Sequence, residues 1–479
     1  MKWFAGLLWP ALATCFSHPG LLVSDSDISR LQGKIAAQLD PWTSCWDSLV
    51  RMTTADVPYS PQAVSSVDRD AEGDTAANAY LLWQDTAAAF ALALRWKVEG
   101  NTTYADAAAE ILTAWAGNLT SIGSNDDQYL VAGLQGHELA NAAELLRDYE
   151  PFQENGLAQF IEMMETVFLA KNIYFLEHLD GSEHNVLHFF ANWELSQVAS
   201  VMAISVLTDN QTTWDFAVDY FKNGTGNGAI NNAITNIVEE PGTGNPLGQG
   251  QEEGRDQGHS AMDYALLGVI GQQAWNQGED LFAYNDSRIL LGAEYFARYN
   301  LGYDVPFEPY TNGIVSYTNI SSASRGNVRW AWEVLYNHYV MIKGQEAPWT
   351  TEYLNATYET FGGFEPGSGS YGDPWDSGYY DTLGWGTILY HLNASDVAAL
   401  QNQSVSSSVY ASASASVASA SASVASATST SAFVSSASSS ATLAVGNYAA
   451  HGHHHTHHPI VTALPETDDS WDDCGDEDW

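Results

Sequence analysis

Three runs of this 479-residue chain bring together residue types that could do chemistry. The densest is Gly248-Gln249-Gly250-Gln251-Glu252-Glu253-Gly254-Arg255-Asp256-Gln257-Gly258-His259, a glycine-rich loop leading into a helix whose apolar stripe begins near Met262. A helix N-terminus presents unpaired N–H groups and favours anions. Arg255 and His259 are four apart, so they share a face if the helix has begun by Arg255. Such a pair suits a carboxylate-bearing substrate. The plainer reading is a capped helix with a local Arg–Asp pair.

The second run is His184-Asn185-Val186-Leu187-His188, followed by Asn192-Trp193-Glu194. Spacing by four places His184, His188 and Asn192 along one side of a helix. The histidines have the i, i+4 separation of a metal pair, but the intervening glutamate of the zinc-protease pattern and a third ligand are missing. They are read as groove-lining, and no metal is assigned to them. The third run is Arg325-Gly326-Asn327-Val328-Arg329-Trp330-Ala331-Trp332-Glu333, then Tyr336-Asn337-His338-Tyr339. Here two arginines one helical turn apart stand beside aromatic rings. Arg–Trp stacking that pins a helix is the competing reading.

Arginine pairs carry more weight in this chain than in most. Sixteen Lys plus Arg face fifty-eight Asp plus Glu, a net charge of -42, and no basic residue lies beyond Lys343. Nucleic acid is excluded as a partner, because too few cations are present to neutralise phosphates. An anionic substrate would have to find its charge partners in a very short list.

The elements that must position these residues are helical. Tyr80, Trp83, Ala87, Phe90, Leu94 and Val98 step by three or four, and Tyr104, Ala108, Ile111 and Trp115 repeat the pattern after Glu99-Gly100-Asn101. Similar stripes run through 134–146, 160–168, 193–206, 262–275, 289–299, 328–339 and 383–392. Short connections imply antiparallel hairpins, so the expected fold is all-α, an (α/α) toroid. Strand-like alternation is scarce, leaving room for short strands after Gly302.

Four segments are expected. Residues 1–17 read as a signal peptide, with Lys2 as its charge, an apolar run from Trp3 to Ala13, and cleavage after Ser17 preferred to the Ala11-Leu12-Ala13 site. The globular domain is 18–400. Residues 401–447 form a Ser/Ala-rich linker, and 448–479 a His-rich, acidic tail. Nine N-x-S/T sequons, at Asn101, Asn118, Asn210, Asn223, Asn285, Asn319, Asn355, Asn393 and Asn402, point to a secreted glycoprotein. After cleavage only Cys45 and Cys474 remain, too few for a disulfide framework. No later stretch has the length of a membrane helix. His451, His453, His454, His455, His457 and His458 suggest transition-metal binding by the tail.

The opening His18-Pro19-Gly20-Leu21-Leu22, the Ala79-Tyr80-Leu81-Leu82-Trp83 helix, Tyr104 to Trp115, Ala142 to Arg147, Asn192-Trp193, Glu253 to His259, Ala274 to Gly278 and Tyr299 to Gly302 resemble, in that order, the alginate-lyase-like polysaccharide lyases. The likeness covers about 18–339. It implies a toroid lyase that cleaves a uronate polymer by β-elimination and requires no cofactor. It also implies catalytic roles for Asn192, His259, Arg325 and a tyrosine, taken as Tyr336 with Tyr264 and Tyr339 in competition. Arg255, Arg329, Glu252, Gln257, His184, His188, Trp193, Tyr264 and Tyr339 are the expected substrate contacts. The Asn-Asn-His run of true alginate lyases is absent, so the polymer is written as glucuronan- or alginate-like. Three other readings stand beside this one. One is a toroid glycoside hydrolase using Glu252, Glu253, Asp256 or Glu194. Another is a non-enzymatic cell-wall or metal-binding protein. The third is a copper monooxygenase built on His18.

Overall fold

The computed structural model describes residues 16–69, 77–123, 125–372 and 374–400. The first fifteen residues of the expected signal peptide, all of the Ser/Ala-rich linker and the histidine tail therefore lie outside the described residues. The chain divides into two units, Met1–Asn393 and Ala394–Trp479. In the second, residues 394–400 are helical.

The first unit is built from helices: α1 (Asp25–Ala36), α2 (Trp42–Val50), α3 (Ala79–Glu99), α4 (Thr102–Asn118), α5 (Asp127–Leu145), α6 (Glu150–Asn155), α7 (Leu157–Met163), α8 (Ala170–Leu176), α9 (Ala191–Leu207), α10 (Gln211–Asn223), α11 (Ile230–Ala233), α12 (Gln257–Asn276), α13 (Tyr284–Asn300), α14 (Glu333–Tyr336), α15 (Pro348–Phe361) and α16 (Gly386–Tyr390). Three two-stranded sheets join them: β1 (Ser66–Val67) with β2 (Ser121–Ile122), β3 (Ile234–Glu239) with β4 (Pro246–Gly250), and β5 (Tyr310–Thr311) with β6 (Ser316–Tyr317). The arrangement is the expected (α/α) toroid. The last two strands fall after Gly302.

Local sequence sets the helix ends. Ser24 and Asp27 cap α1 reciprocally, and Gly100, in the left-handed conformation, ends α3. Consecutive helices pack as hairpins, α3 on α4 and α9 on α10. The innermost helices are buried on all sides. Every residue of α9 is buried, as are nearly all of α12 and most of α5. Small residues allow α5 and α9 to approach closely. A Cβ added to Gly133 would stand 2.2 Å from Ser196 Oγ, which no side chain tolerates. Several polar groups between these and the neighbouring helices pair internally. Asn172 donates to Gln197, Ser200 to Asn172, and Asn141 to Gln273 of α12.

The N-terminal strap fastens the ends of these helices. His18 Nδ1 lies 2.5 Å from Glu144 and Nε2 3.1 Å from Asp209, while Asn141 accepts from the Leu22 amide. Both ring nitrogens of His18 are thus held by carboxylates, which removes the copper-site reading of that residue. Cys45 is buried and free. Two sequence expectations need correction here. The stripe over 328–339 becomes helical only at Glu333, and that over 383–392 only across α16. Among the described residues, no helix is long and apolar enough to cross a membrane, and no group of three or more His, Cys, Asp or Glu residues could hold a metal.

Candidate active site

The hairpin β3–β4 delivers the chain into a tight turn, Gln251 to Arg255, and α12 begins directly behind it. The glycines make this possible: a Cβ on Gly254 would come within 2.4 Å of Tyr317, at the end of β6. The turn places Glu252, wholly buried, against the first turn of α9. Its Oε1 accepts from the Asn192 amide nitrogen at 2.9 Å and from Asn192 Nδ2 at 2.6 Å. Its Oε2 accepts from Arg255 Nη1 at 3.0 Å, and the Arg255 guanidinium lies over the Phe190 ring at 4.0 Å. A carboxylate at a helix N-terminus, with a guanidinium on its other oxygen, is doubly favoured.

Asp256 is the N-cap of α12. It accepts from the His259 backbone amide at 2.8 Å and holds His259 Nδ1 at 2.6 Å. Burial raises the Asp256 carboxyl, but the hydrogen bonds and charge of His259, with the charge of Arg255, outweigh it and hold the group at about 2. An ionised carboxylate can only accept, so Nδ1 carries a proton and, in the neutral ring, Nε2 holds the lone pair. The His259 side chain keeps 19% of its surface exposed.

Behind this pair the carboxyls are kept neutral. Burial and the neighbouring Glu252 push Asp263 well above the usual carboxylate range. Burial pushes Glu253 up to about 8, against hydrogen bonds from Gln257 and from Tyr264, whose hydroxyl donates at 3.1 Å. On the opposite side are two more arginines. Arg329 Nη1 lies 3.9 Å from Asp381 Oδ2. Asp381 is raised by burial, but Arg69, Arg329 and His259 all pull it down, which locates these three basic groups around it. Arg69 Nη2 donates to Ser377 at 3.0 Å. Three of the sixteen basic residues, Arg69, Arg255 and Arg329, therefore gather near His259.

Of the residues expected from sequence, the structure brings together Asn192, Glu252, Arg255, His259 and Arg329. It places others elsewhere. Arg325 and Arg329 do not share a helix face, because Gly326, at a φ of +83°, turns the chain between them. Arg325 donates from Nε to the Tyr299 carbonyl at 2.8 Å and from Nη2 to that of Tyr303 at 3.1 Å, and it stacks on the Tyr299 ring. It caps the end of α13. Tyr339 is wholly buried and donates to the Phe282 carbonyl. Tyr264 sits behind Glu253, between Phe296 and Trp332. Tyr336 follows Glu333 on α14, and burial and the Glu333 charge raise its phenol. Gln257 is buried, donating to Ser321 O and accepting from Asn300 Nδ2, so it ties α12 to the loop after β6. Trp193 packs in the core with Phe175 and Phe189.

His184 ends a short 3-10 turn and His188 lies in the irregular chain after it, so neither shares a helix with Asn192. Helix formation fails there because Asn227 and Asn312 bind the Leu187 and Phe189 carbonyls that a helix would use. His188 instead lies within the field of Asp126.

The hydrolase candidates are also committed. Glu194 accepts from the Gly228 amide and the Tyr220 hydroxyl, and burial pushes it up to about 7. Glu252 and Glu253 are wholly buried, and Asp256 serves His259. A hydrolase needs two carboxyls facing one glycosidic bond, and these four do not provide them. Sequence reasoning passed over Arg69 and Asp381. Their one signal was the scarcity of arginine, which makes every one worth placing.

Comparison with known proteins gives this geometry a family. Among solved structures, a tetrasaccharide complex of alginate lyase A1-III matches at 14% identity, covering 80% of this chain and 99% of that one, with a TM-score of 0.48. The crystal structure of alginate lyase A1-III from Sphingomonas species A1 matches at 12% identity over 80% and 99%, with a TM-score of 0.44. An alginate lyase from Bacteroides ovatus matches at 12% over 78% and 100%, with a TM-score of 0.45. No curated protein matches the chain. The alginate lyase family model matches residues 40–304, more than half of the sequence, and the chain belongs to that family of polysaccharide lyases.

Proposed function

We propose that this lyase cleaves a uronate-containing polysaccharide, glucuronan- or alginate-like, by β-elimination at His259. The observation that carries the reading is the Asp256–His259 pair, partly open at a helix N-terminus, with Arg255 against Asp256 and Arg69 and Arg329 around the nearby Asp381, in a chain of net charge -42.

The hydrogen at C5 of a uronate is a poor acid until the adjacent carboxylate is neutralised. Arg255 and Arg329 supply fixed positive charge for that oxyanion, and buried Asn192, which donates to Glu252, holds in place the carboxylate that orients Arg255. His259 Nε2 takes the C5 proton, and the ionised Asp256 stabilises the imidazolium. The electron pair forms the C4–C5 double bond as the C4–O4 bond breaks. The imidazolium then returns its proton to the departing oxygen, restoring the resting tautomer. This assigns the base to His259 because Tyr264 and Tyr339 are committed to internal partners and Tyr336 lies beside Glu333.

We read the chain as exported and glycosylated. In support, eight of its nine sequons fall on described residues, six exposed and two half-buried. Incubation with a panel of polyuronates tests the chemistry. The expected result is near-ultraviolet absorbance from the conjugated double bond of the product. Reducing ends without that absorbance would mean hydrolysis and overturn the proposal.

A further inference from the structure

Trp375 is the most exposed large apolar side chain among the described residues, with 62% of its surface open. It is nonetheless held in a fixed mount. Its ring meets that of Tyr80 edge-on, centroids 4.4 Å apart. The carbonyl of the preceding Pro374 accepts from Gln84 Nε2 at 2.6 Å and Trp83 Nε1 at 3.5 Å, fastening the loop to α3. Two residues on, at most about 7 Å of chain, Ser377 receives Arg69 Nη2. Arg69 Nη1 is buried without a partner in the protein, and Arg69 bears on the Asp381 that also faces Arg329 and His259. An indole, a guanidinium with an unused donor and the His259 cluster are thus contiguous.

We propose that Trp375, backed by Tyr80, and Arg69 form a subsite for a second uronate unit beside the one that reacts at His259. The assignment rests on the polyuronate reading above. The indole face receives the apolar C–H face of a pyranose ring, and Arg69 takes that unit's carboxylate. The contacts that mount them leave the indole largely open and Arg69 Nη1 without an acceptor. A rigidly mounted, exposed indole leaves apolar surface in water, and a buried donor without an acceptor is costly. One bound sugar acid would relieve both. Aromatic and arginine side chains dominate recognition where both occur, so the pair should set affinity more than rate.

The test is kinetic, on the full chain and a polyuronate that it cleaves. Trp375→Ala is expected to raise KM about tenfold while kcat falls far less. Trp375→Phe should recover most of the loss, and Arg69→Gln should raise KM again. An unchanged KM in a Trp375→Ala protein with wild-type melting, or a loss confined to kcat, overturns the subsite. Calorimetry with a tetrauronate and the His259→Ala variant reads binding without turnover. If wild type yields no unsaturated product, the functional reading fails, and the calorimetry still decides the subsite. Weaker binding on adding Trp375→Ala supports it, and equal binding overturns it.

Discussion

His259 and His391 are alike in almost every local respect. Their side chains are 19% and 21% exposed, and each sets Nδ1 against a carboxylate, Asp256 at 2.6 Å and Glu333 at 2.8 Å. Their surroundings differ. Arg255, Arg69 and Arg329 gather near His259. The contacts of His391 are Glu333, the Tyr358 hydroxyl and the Trp42 ring, and Glu365 lies close behind, with its Oε2 on the backbone amides of Trp332 and Glu333. A histidine–carboxylate pair is therefore no signature of catalysis. Cations that can receive an anionic substrate separate a reactive pair from a clasp that joins α14, α15 and the chain around α16.

The sharpest way to break this contrast is to remove each ring in turn. His259→Ala should cut kcat at least about a hundredfold, the scale of losing an acid–base group, with thermal unfolding nearly unchanged. Asn192→Ala should act in the same direction, because Glu252 loses the partner that helps it orient Arg255. His391→Ala should leave kcat largely intact but lower the melting temperature by roughly 5 °C, because Glu333 loses a partner in a buried cluster. A folded His259→Ala enzyme of normal rate, or an inactive His391→Ala one, would reverse the roles.

The arginines give a smaller split. Arg329→Lys should lower kcat/KM about tenfold, since a planar fork is exchanged for a point charge. Arg325→Lys should affect melting rather than rate, because its contacts are the Tyr299 and Tyr303 carbonyls. Full activity in both would mean that no bidentate contact to substrate exists.

Stability against pH joins the two regions. Burial holds Glu253 and Glu365 up at about 8, far above their unfolded values. A raised carboxyl contributes stability that is fully present below its unfolded value and is lost as pH rises toward the folded one. Melting temperature should therefore fall between pH 5 and pH 8, and Glu253→Gln or Glu365→Gln should flatten that slope. Asp256, held at about 2, has the opposite sign, its contribution disappearing as pH drops from about 4 toward 2. A melting temperature that rises from pH 5 to pH 8 would refute the buried neutral carboxyls.

The smallest effect is expected from the far end of the chain. Ending it after Leu400 should change kcat/KM less than about twofold while abolishing nickel retention, since the six imidazoles of 451–458 lie about fifty residues beyond that point in sequence. A loss of rate would tie the tail to the toroid.

Helical hairpins were legible in the sequence because a helix that buries a face repeats apolar residues every three or four positions, as Tyr80 to Val98 do. The capped helix start near Asp256 was equally legible, since capping is local, but the helix face expected for Arg255 and His259 was not, because α12 begins only at Gln257 and leaves Arg255 in the turn before it. Only the tertiary structure could decide which arginines reach that site. Arg325 and Arg329 are four apart, yet a left-handed Gly326 sends one to the end of α13 and the other toward Asp381. Arg69, remote in sequence, arrives beside them. The tyrosines were undecidable for the same reason: a phenol's spacing says nothing about whether its hydroxyl meets solvent, Glu253 or the Phe282 carbonyl. Local patterns encode elements and caps, while convergence of distant side chains depends on how whole helices pack.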